Sequence, residues 1–429
     1  MSVKKADKIL LTGGEVLDLS SGNRESIDIV ILNGKIDKTG AIEQSSFQGT
    51  VHDISGNIII PGLMDMHVHL REPGREDKET IATGCAAAMA GGFTAVACMP
   101  NTTPAIDTQE VVRFIKKKAE DELVDVYPVA AITKGRKGKE ITEMAELVRE
   151  GAVAFSDDGS PLMDTSIMRH AMEYASMVNT PIIDHCEDSY LAHAGHMNEG
   201  LMSTKLGIVG IPNAAEAVQI ARDIELVRLT GSRVHIAHMS IKEGVELVRR
   251  AKEAGLPVTC EVTPHHLLFT EADLQHYDTH LKMNPPLRTA EDVAALEQGI
   301  KDGVVDVFAS DHAPHTLEDK NVEFDAAPFG ILGLETILGV ILQQLVNRGV
   351  LSLEAALAKM IIRPREILHI PVPQIKEGEP ANLSIFNPNK TFVYDASRSK
   401  SKSRNAPYDG MELPGVVWGV VNKGLLLTT

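Results

Sequence analysis

At 429 residues, with 43% hydrophobic and 24% charged side chains, the chain is long enough for a large buried core and for more than one ordinary domain. A formal net charge of −17, spread without a polyacidic tail, argues against nucleic-acid or anionic-membrane partners and requires any anionic substrate to meet a local basic group. The run Ile9-Leu10-Leu11 behind Lys4, Lys5 and Lys8 is too short for a secretory core, and no apolar stretch approaches the ~20 residues of a membrane span, so cytoplasmic residence is expected.

Two β-like runs open the chain, at 8–18, broken by Gly13-Gly14, and at 26–36, with the turn formers Ser21-Gly22-Asn23 between them. Apolar runs then recur at 58–70, 94–99, 125–132, 152–156, 181–185, 233–238, 258–263 and 305–310. Helical patterns separate them, for example at 163–178, 214–229 and 241–254, the last with apolar Val245, Leu247 and Val248. Eight βα units in series predict an α/β fold, a (β/α)8 TIM-type barrel over 61–370, in preference to an open sheet. The long seventh connection, 267–289, contains Asn284-Pro285-Pro286 and reads as a loop able to move over a site. A last helical pattern through 352–368 stops before Pro371, strand character returns at 381–387 and 415–427, and the Ser/Lys/Arg stretch 397–403 reads as a solvated loop. The two termini together, 1–60 with 371–429, predict one small composite β domain.

Chemistry concentrates where barrel runs end. In Asp65-Met66-His67-Val68-His69 the alternation of strand side chains sends both histidines to one side, able to share a metal ion. Polar groups recur at the ends of runs four, five, six and eight: Asp157-Asp158, His185, His238 and Asp311. Each alone has an ordinary explanation as a hydrogen-bonded core histidine, a turn acid or a helix cap. Their arrival together at the C-terminal mouth of a barrel is harder to explain that way, because unpartnered polar groups there are costly to desolvate. Imidazoles and carboxylates without thiolate suit zinc, with manganese or cobalt as substitutes. A carboxylate bridging two ions would share an activated water between them, and a further carboxylate, Asp311, would relay the proton. The cysteines Cys85, Cys98, Cys186 and Cys260 form neither a CxxC pair nor a dense framework, and Cys186, beside His185, reads as a small buried residue. His193 and His196 read as surface loop residues. No GxGxxG, GxxxxGK[ST] or GxSxG motif is present.

The segment Gly62-Leu63-Met64-Asp65-Met66-His67-Val68-His69-Leu70-Arg71-Glu72-Pro73-Gly74 resembles the opening motif of dihydroorotases within the amidohydrolase superfamily. Met99-Pro100-Asn101-Thr102, Asn284-Pro285-Pro286-Leu287-Arg288, Ser310-Asp311-His312-Ala313-Pro314-His315 and Pro328-Phe329-Gly330 are similar to further motifs of that family. The resemblance implies two zinc ions per subunit, one held by His67, His69, Asp158 and Asp311 and the other by Asp158, His185 and His238. Phe155-Ser156-Asp157-Asp158-Gly159 has no lysine, which matches the branch with an aspartate bridge in place of a carbamylated lysine. The family pattern favours Asp158 over Asp157 as that bridge, and His265-His266 receive no ligand role from it.

Substrate contacts implied in the same way are His69, Leu70, Arg71 and Asn101, the last two for a carboxylate, with Asn284 and His315 around the ring and the Phe329-Gly330 backbone for the ring amides. A guanidinium pairs bidentately with a carboxylate, and Arg71, two residues after His69, starts on the ligand face. The implied reaction is the reversible cyclisation of N-carbamoyl-L-aspartate to (S)-dihydroorotate in pyrimidine synthesis, with Asp311 as general acid and base. The rivals are another cyclic amidohydrolase (dihydropyrimidinase, hydantoinase or allantoinase) and a non-catalytic dihydroorotase-like scaffold of aspartate transcarbamoylase. A homodimer, and association with that transcarbamoylase, come from the family alone.

Overall fold

The structure is a computed structural model describing residues 2–5 and 8–428. Eight parallel strands follow one another in sheet order: β1 (Leu63–Val68), β2 (Phe93–Cys98), β3 (Asp125–Ala130), β4 (Ala154–Phe155), β5 (Ile182–Asp184), β6 (Val234–Ile236), β7 (Val258–Val262) and β8 (Val307–Phe308). A parallel bridge between Val68 and His312 brings the eighth strand back to the first and closes the barrel. The main helices of the eight units are α1 (Ile81–Ala90), α2 (Gln109–Lys118), α3 (Met144–Glu150), α4 (Thr165–Met177), α5 (Asn213–Thr230), α6 (Lys242–Glu253), α7 (Ala290–Lys301) and α8 (Leu353–Ile361). In α4 the sequence reason is plain. Asp164 accepts hydrogen bonds from the Ser166 and Ile167 N–H groups, a cap that stabilises by about 1 kcal/mol, and Met168, Ala171, Met172 and Ala175 recur at helical spacing on the buried face.

Strand alternation sorts the core into two layers. Outward residues such as Val96, Phe155, Ile182, Val234, Ile236, Cys260 and Phe308 join the helices in the largest apolar cluster. Inward residues Met64, Met66, Ala95, Ala97, Val129, Ala154, Ile183, Ala237 and Val307 fill the lumen, and Ile367, Leu368 and Ile370 join them there. Continuing the inward series two residues at a time leads from Ala154 to Asp158, from Ile183 to His185 and from Val307 to Asp311.

Several sequence expectations need correction. Run 58–70 is two strands, not one: Ile58–Pro61 pairs antiparallel with Leu383–Val393, and only from Leu63 does the chain enter the barrel. Gly62 makes the crossing because a side chain there would collide with Asn382 Oδ1 and Thr94 Oγ1, each 2.0 Å from an ideal Cβ. Helical pattern 352–368 is broken into α8 and a short Arg363–Ile367 turn, since Pro364 offers no N–H to continue the ladder. Stretch 397–403 is no solvated loop: Ser399, Ser401 and Ser403 are buried and bond Glu335, Glu79 and the Lys78 carbonyl.

The terminal segments meet as expected. A seven-stranded sheet joins N-terminal Ser2–Lys5, Ile58–Pro61, Glu15–Leu17 and Arg24–Ser26 with C-terminal Leu383–Val393, Glu412–Asn422 and Leu425–Thr428. A four-stranded N-terminal sheet joins it through a core of Ile9, Leu11, Ile29, Ile31, Ile385 and Val421.

Candidate active site

His67 and His69 do not follow from uninterrupted alternation, because Met64 and Met66 already point inward. The pairing of β1 with β2 shifts between Val96–Asp65 and Cys98–Val68, so β1 carries one extra residue at Met66–His67. Such a bulge re-aims the strand and turns both histidines into the mouth. Three further site residues hold the backbone in the left-handed region: Arg71, His238 and Asp311 have φ of +59°, +29° and +46°. Non-glycine residues held there cost on the order of 1–3 kcal/mol each and concentrate at functional sites. Asp65 braces this region, accepting from the His67 N–H (3.0 Å) and, across the barrel seam, from the Ser310 N–H (3.0 Å).

At the mouth, His67 Nε2 lies 3.4 Å from Asp158 Oδ1 and 3.7 Å from Asp311 Oδ1, while His69 Nε2 lies 3.6 Å from Asp158 Oδ2 and 3.0 Å from Asp311 Oδ1. On the other side of Asp158, His185 Nδ1 and His238 Nε2 are 3.0 Å apart and stand 4.0 and 3.8 Å from Asp158 Oδ1. Two donor sets therefore share one carboxylate: His67, His69 and Asp158, and Asp158, His185 and His238. His67 donates from Nδ1 to Glu261 Oε1 (2.6 Å) and His69 from Nδ1 to Asn101 Oδ1 (2.7 Å), which leaves each Nε2 as a lone pair facing the carboxylates. His67 Nε2 is buried without a hydrogen-bond partner, an arrangement suited to a divalent cation. Burial pushes the Asp158 and Asp311 carboxyls up, but the histidine rings crowded around them outweigh it and hold both well below the usual carboxylate range.

Asp157 takes no part, since its carboxylate accepts from the Thr133 N–H (3.0 Å) and hydroxyl. A third cluster, Asp184, Cys186 and Asp223, already has a cationic partner in Arg222, whose guanidinium is 3.3 Å from Asp184 and 2.7 Å from Asp223, and Cys186 is buried as expected.

A cavity of about 320 Å³ opens over these groups. Arg71, Asn101, Asn284, His315, Phe329 and Gly330 line it together with His69, Asp158, His185, His238 and Asp311, while His67 lies beneath its floor. Leu70 departs from the expectation: its side chain belongs to the outer core and packs against Gly84 of α1. Asn101 is engaged on both sides, because its Nδ2 also donates to Asp158 Oδ2 (3.3 Å). Asn284 Nδ2 donates to Glu187 Oε2 (2.9 Å) and lies 3.4 Å from His185 Nε2.

The wall facing the histidines rests on residues that sequence reasoning did not single out. Lys78 Nζ donates to His315 Nδ1 (2.9 Å), so His315 Nε2 donates to the Phe329 carbonyl (2.8 Å). Gly330 has φ +131° and an ideal Cβ there falls 2.8 Å from Ala313 Cβ and 3.0 Å from His315 Nε2, so only glycine fits. Buried Lys320 donates to the carbonyls of Pro328 (2.8 Å) and Thr279 (3.0 Å), and buried Lys282 to those of Phe324 (2.7 Å) and Asp325 (2.9 Å). Asn405, from the C-terminal segment, clamps the Ala313 and Gly330 carbonyls at 3.0 Å each. His196, expected on the surface, is half-buried against Phe329 and 3.2 Å from Lys282 Nζ, whereas His193 is exposed. Connection 267–289 is tethered, with Leu274, Leu281, Met283 and Leu287 buried in a second core. Lys78 and Lys320 stand among charged and polar neighbours in the sequence, which gives no sign of their burial, and Asn405 carries no sequence signal either.

Residues 56–244 match the family model described as Dihydro-orotase-like. A dihydroorotase of Pelotomaculum thermopropionicum is 49% identical over 417 residues, covering 97% of each chain. One from Caldanaerobacter subterraneus is 48% identical over 421 residues, 97% of this chain and 96% of that one. Among solved structures, an L-hydantoinase (dihydropyrimidinase) from Arthrobacter aurescens superposes with a TM-score of 0.86 at 25% identity, over 98% of this chain and 96% of its own. A D-hydantoinase from Thermus sp. has TM-score 0.84 at 23% identity, over 98% of this chain and 95% of its own, and shares the fold. No helix among the described residues is long and apolar enough to cross a membrane. Barrel, shared carboxylate and near-full-length likeness lead to one conclusion: the chain belongs to the dihydroorotase family of cyclic amidohydrolases.

Proposed function

We propose that the cavity interconverts N-carbamoyl-L-aspartate and (S)-dihydroorotate, with two zinc ions held by His67, His69, Asp158 and Asp311 and by Asp158, His185 and His238. The observation that carries the substrate assignment is an arginine, Arg71, lining the same small cavity as the histidine–aspartate cluster. Dihydroorotate has a carboxylate for that guanidinium to bind, which dihydrouracil and hydantoin lack. Donor atoms about 2.0–2.1 Å from a tetrahedral zinc stand about 3.3 Å apart, and the histidine-to-carboxylate separations around His67 and His69 run from 3.0 to 3.7 Å, which supports the fit. When bound, the metals supply Lewis acidity and an activated water.

The chain's own groups do the remainder. Arg71 binds the substrate carboxylate, with Asn101 alongside it. Asn284, His315 and the Phe329-Gly330 backbone orient the ring. In the opening direction one water adds to the ring carbonyl carbon and the adjacent C–N bond breaks. Asp311 takes the proton lost by that water and gives it to the departing nitrogen; ring closure runs the same transfer backwards. Cytoplasmic residence, a homodimer and association with aspartate transcarbamoylase belong to the same proposal, as does a division into 1–60 with 371–429 and 61–370. The test is an ultraviolet assay with dihydroorotate, dihydrouracil and hydantoin, before and after chelation and on re-adding zinc. Turnover of dihydroorotate alone, abolished by chelation and restored by zinc, is expected; preferential turnover of dihydrouracil or hydantoin would overturn the substrate assignment.

A further inference from the structure

Within β7 the sequence Val258-Thr259-Cys260-Glu261-Val262 places a carboxylate among core residues, and Glu261 is fully buried. Cys260 and Val262 belong to the outer core, so alternation sends Thr259 and Glu261 into the lumen. A lone carboxylate there would be expensive, and this one is fully partnered. Oε1 accepts from His67 Nδ1–H (2.6 Å) and from the His238 backbone N–H (3.2 Å), and Oε2 accepts from His235 Nε2–H (3.1 Å). His235 Nδ1 in turn accepts from the Thr259 hydroxyl (2.8 Å).

One side chain of β7 thus holds a ring carried by β1 and the backbone of a residue just beyond β6. We infer that Glu261 is a positioning residue for the metal centre: it fixes His67 with its proton on Nδ1, turns Nε2 towards Asp158 and Asp311, and pins His238 in its left-handed conformation. A carboxylate behind a ligating imidazole also raises its basicity. Glu261 reaches neither the cavity nor the substrate in this arrangement. Its effect passes through the two histidines, and the inference rests on their being metal ligands.

The test measures metal affinity and leaves turnover aside. Wild type, Glu261→Gln, Glu261→Ala and His67→Ala are stripped of metal, and zinc dissociation constants are read by chelator competition, with the visible spectrum of the cobalt-loaded proteins as second readout. Removing such a partner costs about 10- to 100-fold in affinity, and that loss is expected for Glu261→Ala together with a shifted cobalt spectrum. Glu261→Gln falls between Ala and wild type, because its amide oxygen still accepts from His67 while its N–H₂ donates to a re-tautomerised His235. A folded Glu261→Ala with wild-type affinity and spectrum overturns the inference. Should Ala fail to fold, Gln decides, and a wild-type affinity and spectrum there overturn it equally. His67→Ala separates the layers: if it keeps wild-type affinity, the ligand assignment itself falls, whereas loss in His67→Ala alone removes only Glu261.

Discussion

On one wall of the cavity Asp158, His185 and Asp311 continue the inward series of β4, β5 and β8, and partners inside the barrel or at its mouth orient the metal-side rings of His67 and His69. On the opposite wall His315, Phe329 and Gly330 sit on loops held by Lys78, Lys282, Lys320 and Asn405, whose partners are mostly carbonyl oxygens. The first wall inherits its geometry from the sheet. The second is assembled from contacts between segments remote in sequence, so the two walls should fail differently when perturbed.

The largest effect is expected on the metal wall. Asp311→Asn removes the proposed proton carrier while keeping an oxygen beside His69, and kcat should fall roughly 10²- to 10⁴-fold with zinc content by elemental analysis near wild type. Substantial residual turnover would take Asp311 out of that role. Next comes the substrate wall. Arg71→Met deletes the proposed charge-assisted contact to the substrate carboxylate, worth about 2 kcal/mol, roughly thirtyfold in affinity. Steady-state kinetics should show this mainly as a raised KM for dihydroorotate, with metal content unchanged; a raised KM accompanied by lost zinc would mean that the two walls are not separable.

The same contrast explains what could be read without coordinates. Period-two alternation and the spacing of apolar runs locate Asp158, His185 and Asp311 because a strand propagates direction residue by residue. The extra residue in β1 and the left-handed turns at Arg71, His238 and Asp311 were invisible to that logic, since a bulge is decided by pairing with a neighbour strand. Adjacency in sequence suggested that Arg71 shares the ligand face; the structure brings it to the cavity by a turn instead. Ser401 and Asn405 could not be connected to a site more than 300 and about 75–90 residues upstream, because hydrogen bonds of that range leave no periodic trace. Glu261 did leave one, a lone acid inside a core strand.

On the substrate wall, buried Lys320 gives a pH signature above neutrality. Burial pulls Lys320 from the ordinary lysine range down to about 7, with nearby Lys282 adding to the effect. Between about pH 7 and about pH 10 the unfolded chain therefore binds a proton at Lys320 that the folded chain has released, and stability rises with pH across that window. Lys320→Met removes this contribution. Denaturant unfolding of the metal-free protein at the two ends of the window should show a flatter dependence in the variant, and KM should rise a few-fold as the Pro328 carbonyl loses its donor. An unchanged slope would mean that Lys320 does not carry the titration.

The smallest effect concerns the anchor of the Asn284 loop. Directly after it, Thr289 opens α7 with a reciprocal cap: its hydroxyl accepts from the Asp292 N–H (3.2 Å), and Asp292 Oδ2 accepts from the Thr289 N–H (3.2 Å) and hydroxyl (2.6 Å). Asp292 Oδ1 meanwhile accepts from the Lys242 N–H (3.0 Å), tying α7 to α6. Thr289→Ala forfeits the hydroxyl alone and should cost about 1 kcal/mol, read as a small fall in the denaturation midpoint. Arg288, buried and paired with Glu216 at 3.2 Å, still fixes the loop from its other side, so KM should move less than in Lys320→Met. A larger shift in KM than in stability would place the loop's hold on the ring in the cap of α7, with Arg288 secondary.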